Sequence, residues 1–504
     1  MDTTTTRSAG TVTITACLAM LGTLAFADVA RAQDDELTQR LEQQLRQAER
    51  DYALRANPQL SVGERAVIDY GARVNFTFVA LDDTNQRTRI LRQYDNQLYG
   101  HLSLDGAHQF YGRLRFQYRD FNAGDSFDGG GDKLIYPLGD RYWYQFDLRR
   151  AIEAYQGRTS RHNLTVRMGR QYVEWASGLV FSDQLIGIDG SVEWANDWIF
   201  RGLFGVTPAS TVIDFDSSRP SFDGDTDRLF VGGMWTWTGW TNHKPYVYAV
   251  RQWDHNDEDF ANIRFSSGLV LPVAYPTSFD YDSTYLAAGS NGRISPELLY
   301  EAEFIYETGE GLSNSFSVPG LTPVNQTTED IDAWAARGQL AWAFHDQNLS
   351  RIEFEAILAS GDDDRFLDTS NTFGGNRRGT DDNAFNAFGH ADTGLAFAPP
   401  ISNIMVYRLG ASTFPMRHTG KRLYRHWRIG VDAFAYAKMN TDAPLDEATD
   451  DKRFLGAGLD VYSNWRLTSD VSVFCEYGVF FPGAAIAGDH DERHALVTGI
   501  TYSF

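Results

Sequence analysis

From about Val62 to Phe504 the chain alternates apolar and polar residues with a period of two. Leu98, Gly100, Leu102 and Leu104 share one face, and Gln97, His101 and Ser103 share the other. After Asp105-Gly106, Phe110, Leu114, Phe116 and Tyr118 oppose Gln109, Arg113, Arg115, Gln117 and Arg119. Successive side chains of a strand point to opposite faces, and Asp-Gly between two such runs predicts a tight hairpin. The same pattern recurs along the chain and predicts about eighteen strands of roughly ten residues, long enough to cross a bilayer when tilted.

The connections alternate in length. Short ones fall at Asp105-Gly106, Ala195 to Asp197, Gly239 to His243, Asn291 to Pro296, His345 to Asn348 and Leu467 to Asp470. Long ones fall at 120–140, 173–184, 208–226, 255–280, 308–330, 361–400, 439–452 and 482–492. Tight turns at one end, long loops at the other and an even strand number are the plan of an outer-membrane barrel. The predicted fold is therefore all-β: a transmembrane antiparallel β-barrel of residues 61–504. Tyr142-Trp143-Tyr144, Trp235, Trp237, Trp240 and Trp427 near strand ends fit aromatic girdles. The last stretch, ALVTGITYSF, alternates Leu496, Ile500, Tyr502 and Phe504 with small or polar residues, which predicts the closing, lipid-facing strand.

The pattern changes near the N-terminus. Arg7, an apolar run from Thr15 to Ala27 and Ala30-Arg31-Ala32 read as a secretory signal over residues 1–32. Leu37, Leu41, Leu45 and Ala48 then recur at helical spacing and predict a short periplasmic helical arm within 33–60. No other apolar run is long enough for a membrane helix. Removal of the signal leaves Cys475 alone, which excludes an intrachain disulfide; its place among Val471, Val473 and Tyr477 predicts an apolar packing role.

Charge refines this picture. The formal net charge is -22, yet the eight long connections together carry about -26, so the acidity belongs to the loops. The acidic balance disfavours nucleic acid as a partner, and none is expected. Solvation explains loop carboxylates in general, and bridging of divalent cations beside an anionic leaflet is the alternative.

Arginines recur on the polar strand faces: Arg113, Arg115, Arg149, Arg167, Arg170, Arg201, Arg337, Arg408, Arg428 and Arg466. An arginine facing lipid at mid-bilayer costs roughly 2–4 kcal/mol, so these are expected to face a wet lumen. Asp147, Glu301, Glu303, Glu353, Glu355, Asp432, Asp460 and Glu476 share that face. Two compatible roles follow: cross-strand pairs that stiffen the wall, or a conduit that recognises carboxylates, which guanidinium binds bidentately.

Three segments carry a family resemblance: VRMGRQYVEWASGL (Val166 to Leu179), GGNRRGTDDNAFNAFGHADTGLAFAPPISN (Gly374 to Asn403) and YGVFFPG (Tyr477 to Gly483). With them the chain resembles the alginate export porin family over most of its length from Val62. The resemblance implies a monomeric eighteen-stranded outer-membrane barrel whose electropositive constriction passes an anionic uronate polymer, with outer-membrane lipid and periplasmic export machinery as partners. Arg167 and Arg170 lie in the shared element. The helical arm is no part of the family's barrel.

The connection from Gly361 to Pro400 combines Asp362-Asp363-Asp364, paired glycines, Arg377-Arg378 and the apolar Phe385, Phe388 and Phe397. Apolar residues in so long a loop predict that it folds back as a lid or plug. No nucleophile elbow, HExxH or supported Cys–His pair is present, so no enzyme, cofactor or metal site is expected. The expected function is passive passage of an anionic polysaccharide, alginate or similar, with a general or small-anion porin as the alternative. A soluble β-protein or adhesin is the third class.

Overall fold

The computed structural model describes residues 65–504, apart from 127–129, 196, 209–213, 220–221, 223–226, 257–258, 265–269, 318–321 and 489. The expected signal segment and helical arm lie outside the described residues.

Eighteen antiparallel strands close into one barrel. In chain order they are β1 (Ala66–Asp82), β2 (Thr88–Leu104), β3 (His108–Phe121), β4 (Lys133–Asp147), β5 (Asn163–Glu174), β6 (Ser182–Trp194), β7 (Trp198–Val206), β8 (Arg228–Trp237) and β9 (His243–Asp254). The second half comprises β12 (Tyr281–Arg293), β13 (Leu298–Leu312), β16 (Thr328–Ala343), β17 (Arg351–Ala359), β18 (Ile404–Thr413), β19 (Trp427–Lys438), β20 (Phe454–Arg466), β21 (Val471–Pro482) and β22 (Arg493–Ser503). Four short strands lie in loops: β10 (Asp259–Arg264), β11 (Val270–Thr277), β14 (Phe316–Ser317) and β15 (Thr322–Pro323).

Each barrel strand pairs with its sequence neighbours, and β22 closes on β1 with Phe76 opposite Ile500 and Val74 opposite Tyr502. The Phe504 backbone exchanges hydrogen bonds of 2.9 and 3.0 Å with Ala72, so the last residue still belongs to the seam. Closure leaves no edge whose N–H groups would stand bare in lipid.

The predicted hairpin at Asp105-Gly106 is present, with both residues in the left-handed region (φ 57° and 68°) that a two-residue turn of this twist requires. Alternation sorts the faces as expected: Leu98, Phe110, Leu114, Phe116, Tyr118, Ile500 and Tyr502 are exposed on the outer face, and Phe504 is 67% exposed. Gln93, Asp95, Gln97, Arg113 and Gln117 are buried on the inner one. Cys475 is exposed on the outer face with Tyr477. Trp143 departs from the predicted girdle. Alternation turns it inward between Tyr142 and Tyr144, and its ring stacks on Tyr111.

All the predicted long connections, together with 83–87, lie at the end away from the termini. The terminal end holds the short turns and one helix, α1 (Leu148–Gln156). Arg149 is therefore on a helix, not on a strand face. Asp147 caps it by accepting from the backbone N–H of Arg150, and Gly157 (φ 63°) ends it.

Candidate functional site: the lumen and two inward loops

Five of the arginines expected in the lumen are held by carboxylates from neighbouring strands. Arg113 on β3 forms a buried fork with Asp140 on β4, at 2.5 and 2.9 Å. Arg115 pairs with Asp95 on β2 at 2.6 Å. Arg201 on β7 meets Asp189 on β6 at 2.7 Å and covers the Trp175 ring at 4.8 Å. Arg337 on β16 meets Glu355 on β17 at 2.7 Å. Arg408 on β18 stands among four carboxylates, Glu353, Glu355, Asp392 and Asp432, at 3.1, 2.7, 3.4 and 4.0 Å.

The rest are held differently. Arg167 on β5 donates two hydrogen bonds, of 2.7 and 2.9 Å, to the amide oxygen of Gln145 and lies over the Trp143 ring at 4.4 Å. Arg170, buried, donates to Gln184 at 3.1 Å. Arg428 on β19 bonds the hydroxyls of Ser412 and Tyr462. Arg149 pairs with Glu193 beside α1, and Arg466 donates to the carbonyls of Thr468 and Ser469; both sit at the terminal rim.

Two walls result. Along β1 to β5, Arg73 and Arg141 join Arg113, Arg115 and Arg167, and Arg73 lies within electrostatic reach of Asp95, Arg113 and Arg115. Along β19 to β21, which β22 alone separates from β1, Asp432, Asp460 and Glu476 form an acidic patch, completed by Asp392 from the long loop.

That loop, 360–403, folds into the barrel as its apolar residues predict. Phe385, Phe388 and Phe397 are buried in one cluster with Phe230, Tyr285 and Tyr436 of the inner wall. Midway along it Asp382 exchanges backbone bonds with Asp330 and Asp332 of β16, and Arg365, near its start, forks onto the Asp382 carboxylate. Asn386 donates its backbone N–H to Glu307 of β13 and accepts from the Tyr285 hydroxyl of β12. Further on, Thr393 accepts from Tyr436 of β19 and Leu395 donates to Asp460 of β20. Arg377 and Arg378 remain exposed. The loop apex is pinned by the segment 214–219, where Asp216 accepts from the Thr372 backbone and Asn371 from the Ser217 backbone.

A second inward loop is 175–181, which sequence reasoning places among the outside loops. It reaches β13 and β16. Glu303 accepts from the backbone and hydroxyl of Ser177 and from the hydroxyls of Tyr246 and Tyr248, at 2.6–3.2 Å. Arg337 donates to the Ser177 carbonyl at 2.6 Å. The two loops meet where Phe388 and His390 bond the backbone of Val180, Ser182 and Gly178. A Cβ on Gly389 would collide with the carbonyl oxygens of Gly178 and Leu179, so only glycine permits this crossing. The signal for the second loop is its sequence: WASGLVF holds four large apolar residues and no charge, where the neighbouring loops are acidic.

Among the described residues no cluster of three or more His, Cys, Asp or Glu could hold a metal ion.

A closed eighteen-stranded barrel with an apolar outer face and a charged lumen defines an outer-membrane channel. The model of the alginate export family matches residues 140–498, more than half of the chain, and the chain belongs to that family. Among solved structures, the barrel is similar to Pseudomonas aeruginosa OccK8 (OprE), with a TM-score of 0.51, 10% identity, and coverage of 87% of this chain and 98% of that one. It is also similar to Acinetobacter baumannii OccAB3, with a TM-score of 0.50, 10% identity, and coverage of 87% and 99%. At such identity the likeness concerns the fold. No curated protein matches the chain in sequence.

Proposed function

We propose that this channel passively passes an anionic polysaccharide, alginate or a similar uronate polymer, between its two lumen walls. In this reading both termini are periplasmic, the acidic loops face outward, the barrel works as a monomer, and periplasmic export machinery delivers the polymer. The observation that carries it is the basic wall of β1 to β5. Arg113 and Arg115 are fixed by Asp140 and Asp95, and Arg167 is held over Trp143 by Gln145. A guanidinium held over an aromatic ring by a fixed acceptor offers its N–H groups to a carboxylate in a set direction, while sugar rings suit the neighbouring aromatic faces.

The second reading, a small-anion or general porin, is favoured by the pairing of Arg201, Arg337 and Arg408, which spends much of their charge inside the protein. Single-channel conductance in planar bilayers separates the two, with uronate oligomers titrated against a neutral oligosaccharide of equal length. The polysaccharide reading expects block by the uronate alone; indifference to both sugars leaves the porin.

A further inference from the structure

At the terminal end of the lumen a recess of about 530 Å³ opens on the inner face of β9, β12, β13, β16 and β17. Its register explains its shape. Arg293 lies opposite Leu299, Leu299 opposite Ala341, and Arg351 follows one strand on, opposite Ala343. The short Ala341 leaves the floor low between two arginines. Strands are about 4.8 Å apart, so Arg293 and Arg351, three strands apart, are separated by roughly 14 Å measured across the strands. Lys244 stands opposite Asn291 on the β9 side and supplies a third cation.

These cations differ from those deeper in the pore. Arg351 is held by Glu353 at 2.8 Å. Lys244 and Arg293 are exposed, and among the described residues their side chains make no ion pair or hydrogen bond. The one lining carboxylate, Glu301, lies at the inner edge, opposite Gln339 and within electrostatic reach of Arg337. The recess thus offers two uncommitted cations, a third paired one, and amides of Asn242, Asn291 and Gln339 able to bond hydroxyls.

We propose that this recess is a capture subsite for the carboxylates of a uronate chain approaching from the terminal end, before it reaches Arg167. The inference rests on the polysaccharide reading above and adds a side to it. Unpaired, solvated cations accelerate encounter by long-range attraction more than they hold a ligand, so the subsite sets the rate of capture from that mouth.

The test is a Lys244→Gln/Arg293→Gln double variant in planar bilayers, with a uronate oligomer of defined length added to each chamber in turn. Both residues are exposed in the lumen mouth, so folding is preserved. The expected result is an association rate for blocking events that falls roughly tenfold from one chamber and stays unchanged from the other, with a weaker salt dependence. A Lys244→Arg/Arg293→Lys variant, which keeps both charges, should restore the rate. Block of the native channel with association rates identical in the double variant from both chambers overturns the subsite and leaves the polysaccharide reading standing. A native channel that uronate never blocks overturns that reading first, and the subsite with it.

Discussion

The two walls of the lumen obey one rule and end in opposite chemistry. On β3 and on β18 an arginine falls on the polar face for the same reason: the apolar face is claimed by lipid. Arg115 meets a single carboxylate, Asp95, in a neighbourhood that also holds Arg73 and Arg113. Arg408 meets four carboxylates and lies beside a patch of further acids. The same residue type keeps one carboxylate among other cations on one wall and braces four carboxylates on the other. The number of neighbours decides, because each added carboxylate both satisfies the guanidinium and takes up the field a passing anion would feel.

Arg408→Ala should have the largest effect. It leaves Glu353, Glu355, Asp392 and Asp432 without their shared cation, at a cost of about 3–5 kcal/mol by analogy with broken buried pairs. Thermal unfolding in detergent would show this as a lower transition temperature, and reversal potentials should move toward cation preference. An unchanged transition would mean that water already screens this wall.

Deleting 365–390 removes Arg365 and Phe385 to Phe388, the pieces that hold the loop inside the barrel against β12, β13 and β16. Single-channel conductance should then rise at least about twofold. No rise would show that the permeation path already bypasses the loop.

Arg167→Ala acts on the basic wall alone. Uronate block should weaken roughly tenfold, equivalent to about 1.4 kcal/mol, with stability little altered because Gln145 and Trp143 remain solvated in the lumen. Equal weakening of block by a neutral oligosaccharide would assign Arg167 a steric role.

The smallest effect concerns how the long loop packs on itself. Burial, reinforced by the charge of Asp382, pushes the Asp362 carboxyl up to about 6. Its unfolded value is near 3.9, so the packed loop binds the extra proton between those values. Anchoring by this residue is therefore strongest at low pH and weakens as pH rises through about 6. Hydrogen exchange of loop amides, corrected for intrinsic rates, should show protection falling over that window in the native protein. The Asp362→Asn variant should show a flat profile instead.

Much of the fold was legible in advance because the signal is local. Period two across Leu98 to Arg119 sets inside and outside, and Asp105-Gly106 sets the hairpin. The helix α1 was legible in principle, since Asp147 and Gly157 bracket it, but its Leu148-Arg149 start also reads as strand alternation. The lumen arginines were legible as a face, not as a site. Asp140, which holds Arg113, follows irregular pairing between β3 and β4, where the register shifts twice, and no count along the sequence reaches it.

The sequence by itself determined the alternation, the turn chemistry and the concentration of acid in the long connections, and hence an eighteen-stranded barrel with arginines turned from lipid. Each of these depends on residues a few positions apart. Tertiary structure alone decided which arginines keep their charge available, that 175–181 turns inward to Glu303, and that Gly389 lets two loops cross. The arginine pairs lie on neighbouring strands and the loop contacts join groups more than a hundred residues apart, such as Ser177 and Glu303; both are fixed by barrel closure and register and by no local pattern.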